Sequence, residues 1–113
     1  MSFLVEEFDK YTMITSNVEK LDASNASLLK DELTTLNKKG INTLVINLSS
    51  TKYCDSSGLS AILVANRICK DTNGKFVLSG LQPNVQKLIS ISQLDKVLTI
   101  TLTISDAVEV LSA

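Results

Sequence analysis

Residues 43–48, Thr-Leu-Val-Ile-Asn-Leu, are apolar at odd and even positions alike except towards their ends. Strand side chains point alternately to opposite faces of a sheet, so a run without alternation marks a central strand covered on both sides or nearly so. Such a strand needs a layered structure around it. The residues that follow narrow the choice. A polar stretch leads into Cys54-Asp55-Ser56-Ser57-Gly58-Leu59, which opens an amphipathic segment ending near Lys70. Strand, loop and helix in that order place small hydroxyls at a helix N-terminus, where free N–H groups and the helix dipole favour negative charge.

The rest of the chain supplies the layers. Residues 3–8 and 11–16 alternate loosely about Asp9-Lys10, as a hairpin at the edge of a sheet does. From Asp22, read as an N-cap, Ala26, Leu29, Leu33 and Leu36 recur at spacings of three and four and define one helix face. Lys38 and Lys39 suit the negative end of that helix; Gly40 can take a left-handed position past its end with Ile41 packing behind it. A second helix is expected over 57–71. Leu59, Ala61, Ile62, Leu63, Val64, Ala65, Ile68 and Cys69 wrap most of its circumference. Such a helix is either deeply buried or offers an apolar strip to a partner. In so small a chain, a partner-facing strip near its N-terminal half and simple core packing are equally good readings.

Asn73-Gly74 signals a turn before a strand at 75–79. Pro83 suits the first turn of a short helix carrying Val85, Leu88 and Ile89. Residues 96–102 alternate as a strand, and Thr103 with Asp106 resembles a capping box for a last helix over 104–112. Strands alternating with helices predict an α/β fold, and the opening hairpin makes its sheet mixed.

Composition excludes several classes of function. A chain of 113 residues without a Pro/Gly/Ser-rich linker or repeat is expected to form a single domain over 1–113. Eleven basic against twelve acidic side chains, with no basic stripe carrying aromatics, argue against direct binding to nucleic acid. No segment approaches the roughly 18 apolar residues of a membrane span, and Glu6, Glu7 and Asp9 stand where a signal peptide needs positive charge. A cytoplasmic protein is expected. Cys54 and Cys69 have neither Cys-x-x-Cys spacing nor a histidine partner, so free thiols are expected, with no metal and no cofactor. The absence of histidine also leaves Ser56 without the usual general base of a serine hydrolase. Nor does the chain contain Gly-x-Ser-x-Gly around Ser56, a lysine three residues after it, or a phosphate-binding Gly-rich loop. Ser56 is thus better suited to being modified than to performing catalysis, and no enzyme is expected.

The segment Val45-Ile46-Asn47-Leu48, six loop residues and Asp55-Ser56-Ser57-Gly58-Leu59 together resemble the signature of the STAS domain, specifically the bacterial anti-sigma factor antagonists. Leu21-Asp22, Pro83-Asn84-Val85-Gln86-Lys87-Leu88-Ile89 and Ile91-Ser92-Gln93-Leu94 extend the likeness over almost the whole chain. The resemblance implies a STAS-like α/β fold, a small mixed sheet of about five strands packed with four amphipathic helices. It also implies partner switching by a monomer or weak dimer. The unphosphorylated protein would bind a GHKL-type anti-sigma factor that is also a serine kinase, releasing a sigma factor. Phosphorylation of the serine after the aspartate, here Ser56, would end the complex, and a PP2C-type phosphatase would reset it. ATP and magnesium would belong to the kinase. The alternative within the same resemblance is a STAS subunit of a membrane lipid or anion transport complex. Two positions depart from the pattern, since Glu19 and Gln93 stand where glycine is common.

Around Ser56 each neighbour has a functional reading and a plain one. Asp55 either positions the serine and is read by a kinase, or caps the helix. Ser57 suits a helix start. Gly58 either admits a partner's backbone or serves a tight turn into the helix. Leu59 and Leu63, one turn apart, can form the apolar part of a partner contact, with core packing slightly favoured. Asp22 corresponds to a loop that lies near the phosphoacceptor in the family, but an N-cap role suffices for it. Lys52, the one cation before Ser56 in its loop, reads as a solvated side chain.

Overall fold

The computed structural model describes residues 2–113, and its first elements are the strands of the expected hairpin. Strand β1 (Phe3–Glu7) pairs antiparallel with β2 (Thr12–Ser16), Val5 opposite Ile14. Phe8 stacks on Tyr11 across the turn, with ring centroids 4.9 Å apart. Then follow β3 (Lys20–Leu21), α1 (Ala26–Lys38), β4 (Thr43–Asn47), β5 (Tyr53–Cys54), α2 (Ser56–Asp71), β6 (Lys75–Ser79), α3 (Pro83–Ile91), β7 (Thr99–Thr101) and α4 (Ile104–Ser112). The five-stranded sheet runs β1-β2-β4-β6-β7, with every pairing after the hairpin parallel. β4 is its middle strand, as its unbroken apolar run requires.

Alternation along β4 divides the core. Leu44 and Ile46 face one way and pack with α1 through Leu29, Leu33 and Leu36, with α2 through Ile62, Ala65 and Cys69, and with α3 through Val85 and Ile89. Val45 faces the other way and joins Val77 with Ala107 and Leu111 of α4. Three helices therefore cover one face and α4 covers the other. Each fully buried leucine contributes about 1.5–3 kcal/mol through removal from water.

Local chemistry sets the ends of these elements. α1 stops where Gly40 turns left-handed (φ +83°); Ile41 N–H donates to the Leu36 carbonyl and Gly40 N–H to that of Asn37. That is the paired closure of a Schellman motif, made where the two lysines and glycine predicted an end. Pro83 opens α3, and the Thr103 hydroxyl accepts from Asp106 N–H at 3.1 Å to open α4.

Three expectations need correction. Asp22 is not the N-cap of α1: the helix begins after Asn25, whose side chain accepts from Asp22 N–H and donates to the Lys20 carbonyl instead of capping the helix. The strand expected over 96–102 shrinks to Thr99–Thr101, because Leu94–Lys96 forms a 3-10 turn entered through Gln93 in the left-handed region (φ 59°). A glycine would take that conformation without the roughly 1–2 kcal/mol that a side chain costs there. Finally, the loop before Ser56 contains β5, which pairs in parallel with β3 as a separate two-residue ladder. Among the described residues, no helix is long and apolar enough to cross a membrane.

Candidate functional site

The β3–β5 ladder and the first turn of α2 frame one corner of the molecule. Beside them lies an open groove of about 550 Å³, lined by Glu19, Lys20, Leu21, Asp22, Tyr53, Cys54 and Asp55. Main-chain bonds hold this corner together. The Glu19 carbonyl accepts from both Lys52 and Tyr53 N–H, and the Leu21 carbonyl accepts from Asp55 N–H. The chain thus reaches Asp55 in a fixed extended conformation (φ −111°, ψ −172°), suited to a residue flanking a helix start.

Asp55 is the N-cap of α2. Its Oδ1 accepts from Ser57 N–H at 2.9 Å and Gly58 N–H at 3.1 Å. Ser56 is therefore the first helical residue, one position before the expected start, and it is exposed. Ser57 is half-buried. Gly58 is buried because the helix seats directly on β3 and β5. A Cβ there would lie 2.5 Å from the Leu21 carbonyl oxygen and 2.6 Å from the Cys54 sulfur. Close packing within the chain accounts for this glycine without any partner.

The electrostatics of the corner bear on what a phosphate at Ser56 would meet. Two of the amides best placed to receive an anion are already held by the Asp55 carboxylate, so a phosphoryl group on Ser56 would share the helix end with another negative charge. Asp22 adds a third acid to the groove beside Glu19 and Asp55. Its Oδ1 accepts from the Ser24 hydroxyl at 2.6 Å and from Ser24 N–H at 3.0 Å. Those two bonds, the hydroxyl's first, hold its carboxyl below the ordinary value, with a smaller contribution from Lys20. Lys20 itself lies over the Tyr53 ring, 6.0 Å from the centroid, at the outer limit of a cation–π contact.

The sequence-predicted residues divide into two groups. Asp22 and Asp55 line the groove, with Ser56, Ser57 and Gly58 continuing from Asp55 into α2. Leu59 is 8% exposed and belongs to the core, while Leu63 is half-buried against it. The apolar strip considered for a partner is used in packing, and no large hydrophobic residue of α2 is exposed among the described residues. Five groove residues were missed: Glu19, Lys20, Leu21, Tyr53 and Cys54. An aromatic residue placed two positions before the Asp-Ser-Ser-Gly segment was the available signal, because a 46%-exposed tyrosine is well suited to contact. Both cysteines are free. Burial, reinforced by Asp55, pushes the Cys54 thiol up to about 12, so it stays protonated and weakly nucleophilic at neutral pH. Lys52 is exposed, as expected of a solvated side chain.

Comparisons with known proteins agree on one family. The family model described as the STAS domain matches residues 4–107. A relative from Bordetella bronchiseptica, carrying the name of an anti-sigma factor antagonist, BtrV, is 31% identical over 72 residues, covering 64% of this chain and 62% of the relative. The chain thus spans a little under two thirds of that protein. The TM1081 homolog of Thermotoga neapolitana, also named as an anti-sigma factor antagonist, is 34% identical over 95 residues, covering 80% of this chain and 81% of the relative. A crystal structure described as an anti-sigma factor antagonist from Thermotoga maritima superposes with a TM-score of 0.91 at 27% identity, covering 98% of this chain and 95% of that one.

Proposed function

The chain belongs to the STAS domain family, and on that premise we propose that it is an anti-sigma factor antagonist switched by phosphorylation of Ser56. In its unphosphorylated state it binds an anti-sigma factor of the GHKL serine-kinase type through the groove and the first turn of α2, and the sigma factor is released. The kinase then transfers phosphate to Ser56, the complex ends, and a PP2C-type phosphatase restores the hydroxyl. In this scheme the chain is a substrate and a binding module, not an enzyme.

The observation that carries the reading is the placement of Ser56: exposed, first in its helix, directly after the capping Asp55 and beside the groove. Phosphorylation adds close to two negative charges. In a docked complex that charge must lose water beside the acids of the same corner. Each tenfold loss of affinity takes only about 1.4 kcal/mol, so no rearrangement of the fold is needed. An exposed residue at a helix start also tolerates substitution within about 0.5 kcal/mol of stability. The same change therefore alters binding far more than folding.

The test is to incubate the protein with the anti-sigma factor kinase, ATP and magnesium and locate phosphate by mass spectrometry. A single phosphate at Ser56 is expected. Ser56→Ala should bind the kinase as the wild type does but resist switching, and Ser56→Asp should bind at least about tenfold more weakly with an unchanged urea midpoint. Equal binding by wild type, Ser56→Ala and Ser56→Asp would refute the switch.

A further inference from the structure

Just before β5, a hydroxyl from the loop meets one from the end of β2 in the interior. Ser16, at the end of β2, and Thr51, in the loop between β4 and β5, are both completely buried. Their oxygens are 2.7 Å apart, and Thr51 Oγ1 is also 2.7 Å from the Val18 carbonyl oxygen. A carbonyl only accepts, so the single Thr51 proton goes to Val18, and Ser16 must donate to Thr51. Both directions are thereby fixed.

The pair sits immediately upstream of the bonds that lay residues 52–55 along residues 19–21. Lys52 N–H and Tyr53 N–H reach the Glu19 carbonyl at 2.8 and 3.1 Å, and Asp55 N–H reaches the Leu21 carbonyl at 3.2 Å. A two-residue ladder is too short to specify its own register. A slip by one residue would exchange the outward Tyr53 with the half-buried Cys54 and carry Asp55 N–H away from the Leu21 carbonyl that fixes where α2 begins. Buried hydroxyls are costly unless satisfied, and these are satisfied only in the observed alignment. A slip therefore strands them.

We propose that Thr51, held by Ser16, is a positioning residue for Ser56. It locks the register of the β3–β5 ladder, so that the start of α2 offers its first hydroxyl to the kinase in one place. This role rests on the phosphorylation reading above, whereas the lock is measurable without any kinase.

Thr51→Val keeps the shape and deletes both bonds; Thr51→Ser keeps the hydroxyl. Amide hydrogen exchange followed by NMR should show Tyr53 and Asp55 exchanging roughly fivefold faster or more in Thr51→Val, the loss expected for a missing buried hydrogen bond, with Val45 and Ile46 unchanged. With the anti-sigma factor kinase and ATP, kcat should fall about tenfold, as misplacement of reacting groups predicts, while KM stays within about twofold. Thr51→Ser should restore both values. If Thr51→Val does not fold, Ser16→Ala, which leaves the bond to Val18 in place, should move both readouts in the same direction by less. Wild-type exchange at Tyr53 and Asp55, or a wild-type kcat, in the variant that lacks the bonds overturns the proposal. Absence of phosphate on the wild-type protein instead overturns the switch reading, and the presentation role with it, while the exchange rates still decide the lock.

Discussion

Asp22 and Asp55 each lead into one of the two long helices, line the same groove, and do different work. Asp55 is integral to its helix: its carboxylate holds two amides of the first turn, and the third residue of that turn, Gly58, is pressed onto Leu21 and Cys54. Asp22 precedes a helix that has no side-chain cap. Its carboxylate closes a small turn with Ser24, and the third residue of α1, Leu28, is 49% exposed. Position relative to the neighbouring chain, and not residue type, decides between them. The start of α2 is welded to the sheet side of the corner, whereas the approach to α1 is a surface turn whose acid remains available to a partner.

The largest test of that contrast lies at the third helical residue. Gly58→Ala should destabilise the protein by about 1–3 kcal/mol through overpacking, whereas Leu28→Ala, at an exposed site, should stay within about 0.5 kcal/mol. Urea unfolding of both variants decides it, and similar midpoints would erase the distinction. Next in size are the aspartates themselves. Asp55→Ala removes an N-cap and should cost about 1–2 kcal/mol, and Asp22→Ala should cost visibly less in the same assay. A loss at Asp22 matching that at Asp55 would mean that the Ser24 turn supports α1 as firmly as a cap.

The smallest effect is a titration. The bonds from Ser24 hold the Asp22 carboxyl below its ordinary value of 3.8. A carboxyl whose value is depressed by folding stabilises the native state above its unfolded value, and that contribution disappears as pH falls through the folded one. NMR titration of the Asp22 side-chain carbon should therefore give a midpoint under 3.8, and Ser24→Ala should move it upward. A wild-type midpoint at or above 3.8 contradicts the turn geometry.

Much of the fold is written in local pattern. The unalternating β4 run, the helix face of Ala26, Leu29, Leu33 and Leu36, the Gly40-Ile41 stop and the Thr103–Asp106 start all depend on residues within a few positions of one another, and all are found in place. What escaped depends on partners distant in sequence. Two-residue strands have no periodicity to read, so β3 and β5 are visible only once Glu19 and Leu21 meet Lys52, Tyr53 and Asp55. Asp22 looks like a cap by type, but Asn25 turns back to Lys20 and shifts the helix start. At Gly58 the sequence permits a functional reading and a steric one equally, and the nearness of the Leu21 carbonyl, invisible in the sequence, supplies the steric one. Ser56 is exposed at the helix start, as the motif implies, whereas much of the apolar strip considered on α2 goes into packing, with Leu59 buried and Leu63, Val64 and Ile68 half-buried against the core.

The groove's frame is stitched through main-chain atoms, with the Glu19 and Leu21 carbonyls taking the amides of Lys52, Tyr53 and Asp55. The side chains of Glu19, Lys20, Lys52 and Tyr53 are therefore free to diverge without loosening it. Changes at those few surface positions would alter the groove's charge and shape while the main-chain mount beneath them stays the same.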